Sequence, residues 1–163
     1  MNPKRQDSED IQQKISTAIE HLKAGCSCSE SVLLTYGPQL GLEQKLAVKI
    51  ASGFGGGMGM GATCGAVTAS IMVIGLQHGP ASGAERAVRA LSSEYVGSFV
   101  ELFTRRNGSV CCRDLTGGLD PSTAEGRQQI REQGRVEDVV AEAIRTLEQL
   151  VPAGDGQRAT PAA

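Results

Sequence analysis

The residues of this chain with the most chemistry to offer are its five cysteines, Cys26, Cys28, Cys64, Cys111 and Cys112. Three of them stand where helices should begin. Ser27-Cys28-Ser29-Glu30 has the form of a capping box, with Ser at the cap and Glu three residues on, so Cys28 is the first residue past a cap. Cys64 falls in the first turn of an apolar segment that emerges from a glycine-rich stretch. Cys112 lies three residues after Ser109, a second candidate cap. A helix N-terminus carries about half a positive charge and free N–H donors. It favours thiolate over thiol, and thiolate is both the nucleophile and the metal ligand. Any one buried cysteine is equally well explained as a small hydrophobe. Three at helix starts point to a site, and Cys28, Cys64 and Cys112 are its expected catalytic core. Cys26, on the loop side of its cap, and Cys111, beside Cys112, are auxiliary. Neither pair is a Cys-x-x-Cys, so a thioredoxin-like centre is not indicated.

The elements that would position these thiols are all helical in period. Apolar residues at Ile11, Ile15, Ala18, Ile19 and Leu22 form one stripe of a helix over 10–23, ended by Gly25. The second helix follows the Ser27 cap and stops near Gly37-Pro38. A third, over 43–52, should turn Leu46, Ala47 and Ile50 inward. Gly53 to Gly61 is too rich in glycine for a regular element. The segment 62–78 is small and apolar on every face, as a buried central helix must be, and Gly61 and Gly65 would let another backbone approach it. Ala84, Ala87, Val88, Leu91, Tyr95, Phe99 and Leu102 keep the helical period over 83–105. A short helix is expected over 110–115. Residues 122–133 read as polar and poorly periodic, with Gly134 as a break. Val136, Val139, Val140, Ala143, Ile144, Leu147 and Leu150 form the apolar face of a last helix, wide enough to serve the core and a second copy in a homodimer. The expectation is an all-α fold, a single helical bundle over 8–151 around a buried glycine-led helix, with a disordered tail over 152–163.

Other candidates are weaker. Gly57-Met58-Gly59-Met60-Gly61-Ala62 satisfies a GxGxxA pattern, but a dinucleotide fold needs strands on both sides of it and none is evident. Gly57, Gly59 and Gly61 could still present bare N–H groups to a small anion or cofactor; close packing is the simpler use of such glycines. Met58 and Met60 could be soft copper ligands, and gap-filling is their commoner role. His21 and His78, the only histidines, read as a surface and a capping residue.

Composition narrows the functions. The chain has 163 residues, a formal net charge of -2 and no Trp, so neither a basic face nor a stacking platform for nucleic acid is available. No apolar run is long enough to span a membrane and no secretory signal opens the chain. The expected setting is cytoplasmic, where cysteines serve as thiols, metal ligands or redox centres.

The run Ala51-Ser52-Gly53-Phe54-Gly55-Gly56-Gly57-Met58-Gly59, followed by Thr63-Cys64-Gly65-Ala66-Val67-Thr68, resembles the redox-active proteins named for their cysteine pattern, C_GCAxxG_C_C. Cys28-Ser29-Glu30-Ser31-Val32-Leu33 and Cys112-Arg113-Asp114-Leu115-Thr116-Gly117 resemble the same family. The resemblance spans about residues 10–150 and implies a small redox protein. It departs at Ala69, where the family has glycine, and around Glu132-Gln133-Gly134-Arg135, where the family's last cysteine would fall. Three uses of the thiols follow. One is redox work by disulfide exchange or electron transfer, with a redox partner protein. Another is an iron–sulfur cluster or transition metal held by Cys28, Cys64 and Cys112 with help from Cys111 or Cys26. The third is a partner-binding module whose cysteines only pack.

Overall fold

The computed structural model describes residues 3–150. The expected tail over 152–163 lies outside the described residues. Eight α-helices follow one another: α1 (Pro3–Lys23), α2 (Cys28–Tyr36), α3 (Gln44–Ala51), α4 (Gly65–His78), α5 (Arg86–Asn107), α6 (Cys112–Leu115), α7 (Ala124–Glu132) and α8 (Arg135–Leu150). No β-strand occurs among the described residues.

Helix α4 is the middle of the bundle, packed against α2, α5 and α8. Its small apolar sequence permits this: Ala66, Val67, Ala69, Val73 and Ile74 are all fully buried, and exposure is confined mostly to its last turns, where Leu76 is 41% exposed. Helix α1 lies across α2 and α8. Lys14 of α1 reaches Glu148 of α8 at 2.6 Å, and the Tyr36 hydroxyl of α2 donates to the same carboxylate oxygen at 2.8 Å. One carboxylate thus joins three helices. Burial, and then the charge of Glu148, pushes the Tyr36 phenol well above its ordinary pKa.

Three differences from the pattern reading have physical causes. Leu46 and Ile50 of α3 are 46% and 44% exposed, while Ala47 and Ala51 carry the packing; α3 rests on its small residues, which let it lie close. In α5 only the second half is anchored, by Phe99, Leu102 and Phe103. Val88 and Leu91 are exposed, because the first half of α5 runs past the end of α4. Helix α7 forms over the segment that reads as polar and poorly periodic: Thr123 caps it by accepting from the Gly126 amide at 3.0 Å, and Ile130 anchors its inner face. The apolar face of α8 packs within the bundle, with Val140, Ala143, Ile144 and Leu147 essentially inaccessible.

No helix among the described residues is long and apolar enough to cross a membrane.

Candidate functional site

Cys28 is the first residue of α2. The capping box is complete: the Ser27 hydroxyl accepts from the Glu30 amide at 3.3 Å, and Glu30 accepts from the Ser27 amide at 2.6 Å. Cys64 is the cap of α4 rather than a member of its first turn, because the helix begins at Gly65, three residues later than its apolar run. Cys112 is the first residue of α6; Cys111, not Ser109, occupies the cap. The Ser109 hydroxyl instead accepts from the Cys111 amide at 3.0 Å and donates to Asp114 at 2.7 Å.

Two devices draw the three helix starts together. Thr63 and Cys111 form an isolated antiparallel bridge. Around it the Cys64 amide donates to Val110 at 2.8 Å and the Cys112 amide donates to Ala62 at 2.7 Å. Successive residues on an extended chain alternate sides and residues directly paired across a ladder share one, so Cys64 and Cys112, each one residue past the Thr63–Cys111 pair, face one way and Cys111 the other. The Cys111 thiol accordingly donates to the Gly61 carbonyl at 3.0 Å, away from the other thiols. The second device is Gly65. A Cβ there would lie 2.7 Å from the Cys28 sulfur and 2.8 Å from the Phe54 carbonyl oxygen. Only glycine lets the start of α4 meet the start of α2.

The result is a row of three buried thiols. Cys28, Cys64 and Cys112 are 9%, 4% and 5% exposed. Cys64 stands between the other two and is hydrogen-bonded to both. The Cys28 thiol donates to Cys64, which together with burial pushes its pKa well above the ordinary thiol value. The amides of Gly56 and Ser29 oppose this without prevailing. Cys64 in turn donates to Cys112, and its pKa is pushed up to about 12. Cys64 makes no conventional capping bond, although the Ala66 amide acts on its sulfur in the direction that favours thiolate. Cys112 only accepts. The Cys64 hydrogen bond lowers its pKa below the ordinary thiol value, against burial. The helix-start argument taken alone favours thiolate at all three; hydrogen bonding and desolvation leave that direction to Cys112 alone.

A cavity of about 700 Å³ lies over the row. Cys28, Cys64 and Cys112 line it, as does Cys26, which is half-buried at its edge. Burial and the nearby Glu30 raise the pKa of Cys26. Leu115, Pro121, Ile130, Val136 and Val139 supply apolar wall. Of the three glycines expected at a cofactor, Gly59 lines the cavity, and Gly57 and Gly61 do not. Gly57 closes a turn so tight that a Cβ would fall 2.5 Å from the Ala62 carbonyl oxygen. Gly56, Gly57, Gly59 and Gly61 are left-handed, and Met58 shares that conformation at φ 60. Gly55 and Gly56, which pattern reading did not single out as ligand-facing, are in the wall. Their signal was available, in the unbroken glycine run beside a cysteine-bearing cap.

Met58 and Met60 are exposed and lie outside the cavity wall. His78 stacks on Tyr95 with ring centroids 4.4 Å apart, and neither histidine reaches the thiols. Three sulfurs are a donor set that soft metals accept. Among the described residues, however, no group of three or more His, Cys, Asp and Glu side chains is arranged to hold a metal ion.

The family described as "Putative redox-active protein (C_GCAxxG_C_C)" matches residues 26–150. The chain belongs to this family. A general redox role comes with that membership. The match runs from Cys26 at the cavity edge to the end of α8 and so takes in the whole thiol row. At the α7–α8 junction, beside Arg131 and Val136 of the cavity wall, the chain reads Glu132-Gln133-Gly134-Arg135, without a cysteine. No curated protein and no solved structure matches the chain.

Proposed function

We propose that the protein is a thiol–disulfide redox protein in which Cys112 attacks and Cys64 resolves. The observation that carries this reading is the set of three buried thiols lining one cavity, of which Cys112 alone has its pKa lowered while those of Cys28 and Cys64 are raised. The Cys112 thiolate attacks one sulfur of a substrate disulfide in the cavity. The substrate S–S bond breaks, one half leaves as a thiolate, and a mixed disulfide remains on Cys112. Cys64 then releases its proton to a departing thiolate, and its sulfur attacks the Cys112 sulfur. The second half leaves, and a Cys64–Cys112 disulfide remains. Two electrons have passed from the protein to the substrate. Cys28 donates to Cys64 and holds its sulfur in line. A separate dithiol protein, in a reducing compartment such as the cytoplasm, would return the two electrons and two protons.

The test is a thiol count on anaerobically purified, reduced protein before and after one equivalent of a small disulfide, followed by peptide mapping. The expected result is the loss of two thiols, recovered as a Cys64–Cys112 link and restored by a dithiol. Five unreactive thiols would leave the packing role. Visible colour with stoichiometric metal in the purified protein would put the iron–sulfur or metal reading in its place.

A further inference from the structure

The charges around the cavity sort by accessibility. Three cations, Lys23, Arg127 and Arg131, and two carboxylates, Glu30 and Glu137, contribute to its lining. The cations are exposed and the carboxylates are half-buried. Glu30 is turned onto the Ser27 amide as part of the capping box. The Glu137 Oε2 is sealed from solvent. Neither Lys23 nor Arg131 makes an ion pair among the described residues. Arg127 is tied to the carbonyls of Pro121 and Ser122 at 3.0 and 2.9 Å, which holds its charge at the rim. An incoming molecule therefore meets positive charge first, apolar wall next and sulfur at the floor. The cavity is of a size that suits a small molecule rather than a protein segment.

We propose that the cavity takes a low-molecular-weight disulfide with an apolar body and an anionic end, a carboxylate or its equivalent. The anion stays at the rim against Lys23 and Arg131 while the disulfide reaches the thiol row. The inference rests on the exchange reading above and names its substrate class.

The experiment uses three symmetrical disulfides with the same two-carbon arms: 3,3′-dithiodipropionate (anionic), bis(2-hydroxyethyl) disulfide (neutral) and cystamine (cationic). The full reduced chain reacts with each in a single turnover at low salt, and each rate is divided by that of 2-mercaptoethanol with the same disulfide, which removes intrinsic reactivity. The expected order is anionic, neutral, cationic, with about tenfold between first and last, the lower end of what a focused charged rim supplies. At about 0.5 M salt the spread should collapse, since screening then acts within a few ångströms. Lys23→Gln/Arg131→Gln, both at exposed positions, should slow the anionic disulfide and leave the neutral one unchanged. Equal normalised rates, a preference for cystamine, or an equal loss for all three in the variant would overturn the anionic assignment while leaving exchange intact. No reaction with any of the three would instead remove the exchange reading on which it stands.

Discussion

Gly65→Ala is the sharpest test of how the site is built. Alanine at a helix start ordinarily costs nothing, and it even narrows the unfolded ensemble. Here the added carbon would sit 2.7 Å from the Cys28 sulfur, 2.8 Å from the Phe54 carbonyl oxygen and 3.1 Å from the Ser29 Cβ. None of the three is the free end of a flexible side chain. Cys28 is buried and Ser29 is fully buried, and the Ser29 hydroxyl is anchored to the Ala51 carbonyl at 2.9 Å. Helices α2 and α4 must separate by some tenths of an ångström, a typical overpacking cost of about 1–3 kcal/mol. In a domain of this size each kcal/mol moves Tm by about 2–4 °C, so a fall of about 3–10 °C is expected in thermal melts of the reduced protein followed by circular dichroism. Gly97→Ala is the internal comparison: nothing lies within 4 Å of its added carbon, and a mid-helix glycine relieved this way should stabilise by about 0.5–1 kcal/mol. A Gly65→Ala protein that melts at or above the wild-type temperature would refute the argument that glycine joins the two helix starts.

Four further outcomes are expected. Iodoacetamide mapped across pH should label Cys112 at lower pH than Cys26, since the hydrogen bond from Cys64 lowers one pKa while burial raises the other; the reverse order would count against the thiol row. Cys64→Ala removes the donor and leaves only influences that raise the Cys112 pKa, so labelling of Cys112 should move to higher pH. The raised pKa of Cys64 and Cys28 means that both bind protons more tightly folded than unfolded. Their stabilisation is complete below the ordinary thiol value of 9.0 and declines as pH rises toward about 12, so reduced-state Tm should fall across that alkaline window and less steeply in Cys64→Ala. Glu148→Ala strands Lys14 and the Tyr36 hydroxyl between three helices and should cost about 3 kcal/mol, read by urea denaturation; Glu148→Gln, which can still accept from Tyr36, should cost less.

Helix periods were plain wherever one face is apolar and long, as in α8, or wherever every face is apolar, as in α4. They misled where packing is done by small residues: Ala47 and Ala51 bury α3, and its larger Leu46 and Ile50 do not. Helix α7 was hidden because a single isoleucine, Ile130, and a Thr123 cap are too sparse a pattern to count. The capping box marked Cys28 without ambiguity, since its signal is local. Cys64 and Cys112 could be picked out singly, but their pairing depends on a two-residue bridge between distant segments that leaves no periodic trace. That same bridge turns Cys111 away, a distinction between neighbours that the sequence Val110-Cys111-Cys112 does not contain. The direction of the thiol row was equally out of reach, because it follows from which sulfur sits in the middle.

The bridge at Thr63 and Cys111 also bears on timing. By holding Ala62–Cys64 against Val110–Cys112 before any sulfur reacts, it has already closed the long α4–α5 excursion, so Cys64 meets a modified Cys112 at an effective concentration far above that of any thiol in solution. On the exchange chemistry proposed above, a molecule captured covalently on Cys112 would be short-lived, and it should accumulate only in a chain from which the Cys64 sulfur has been removed.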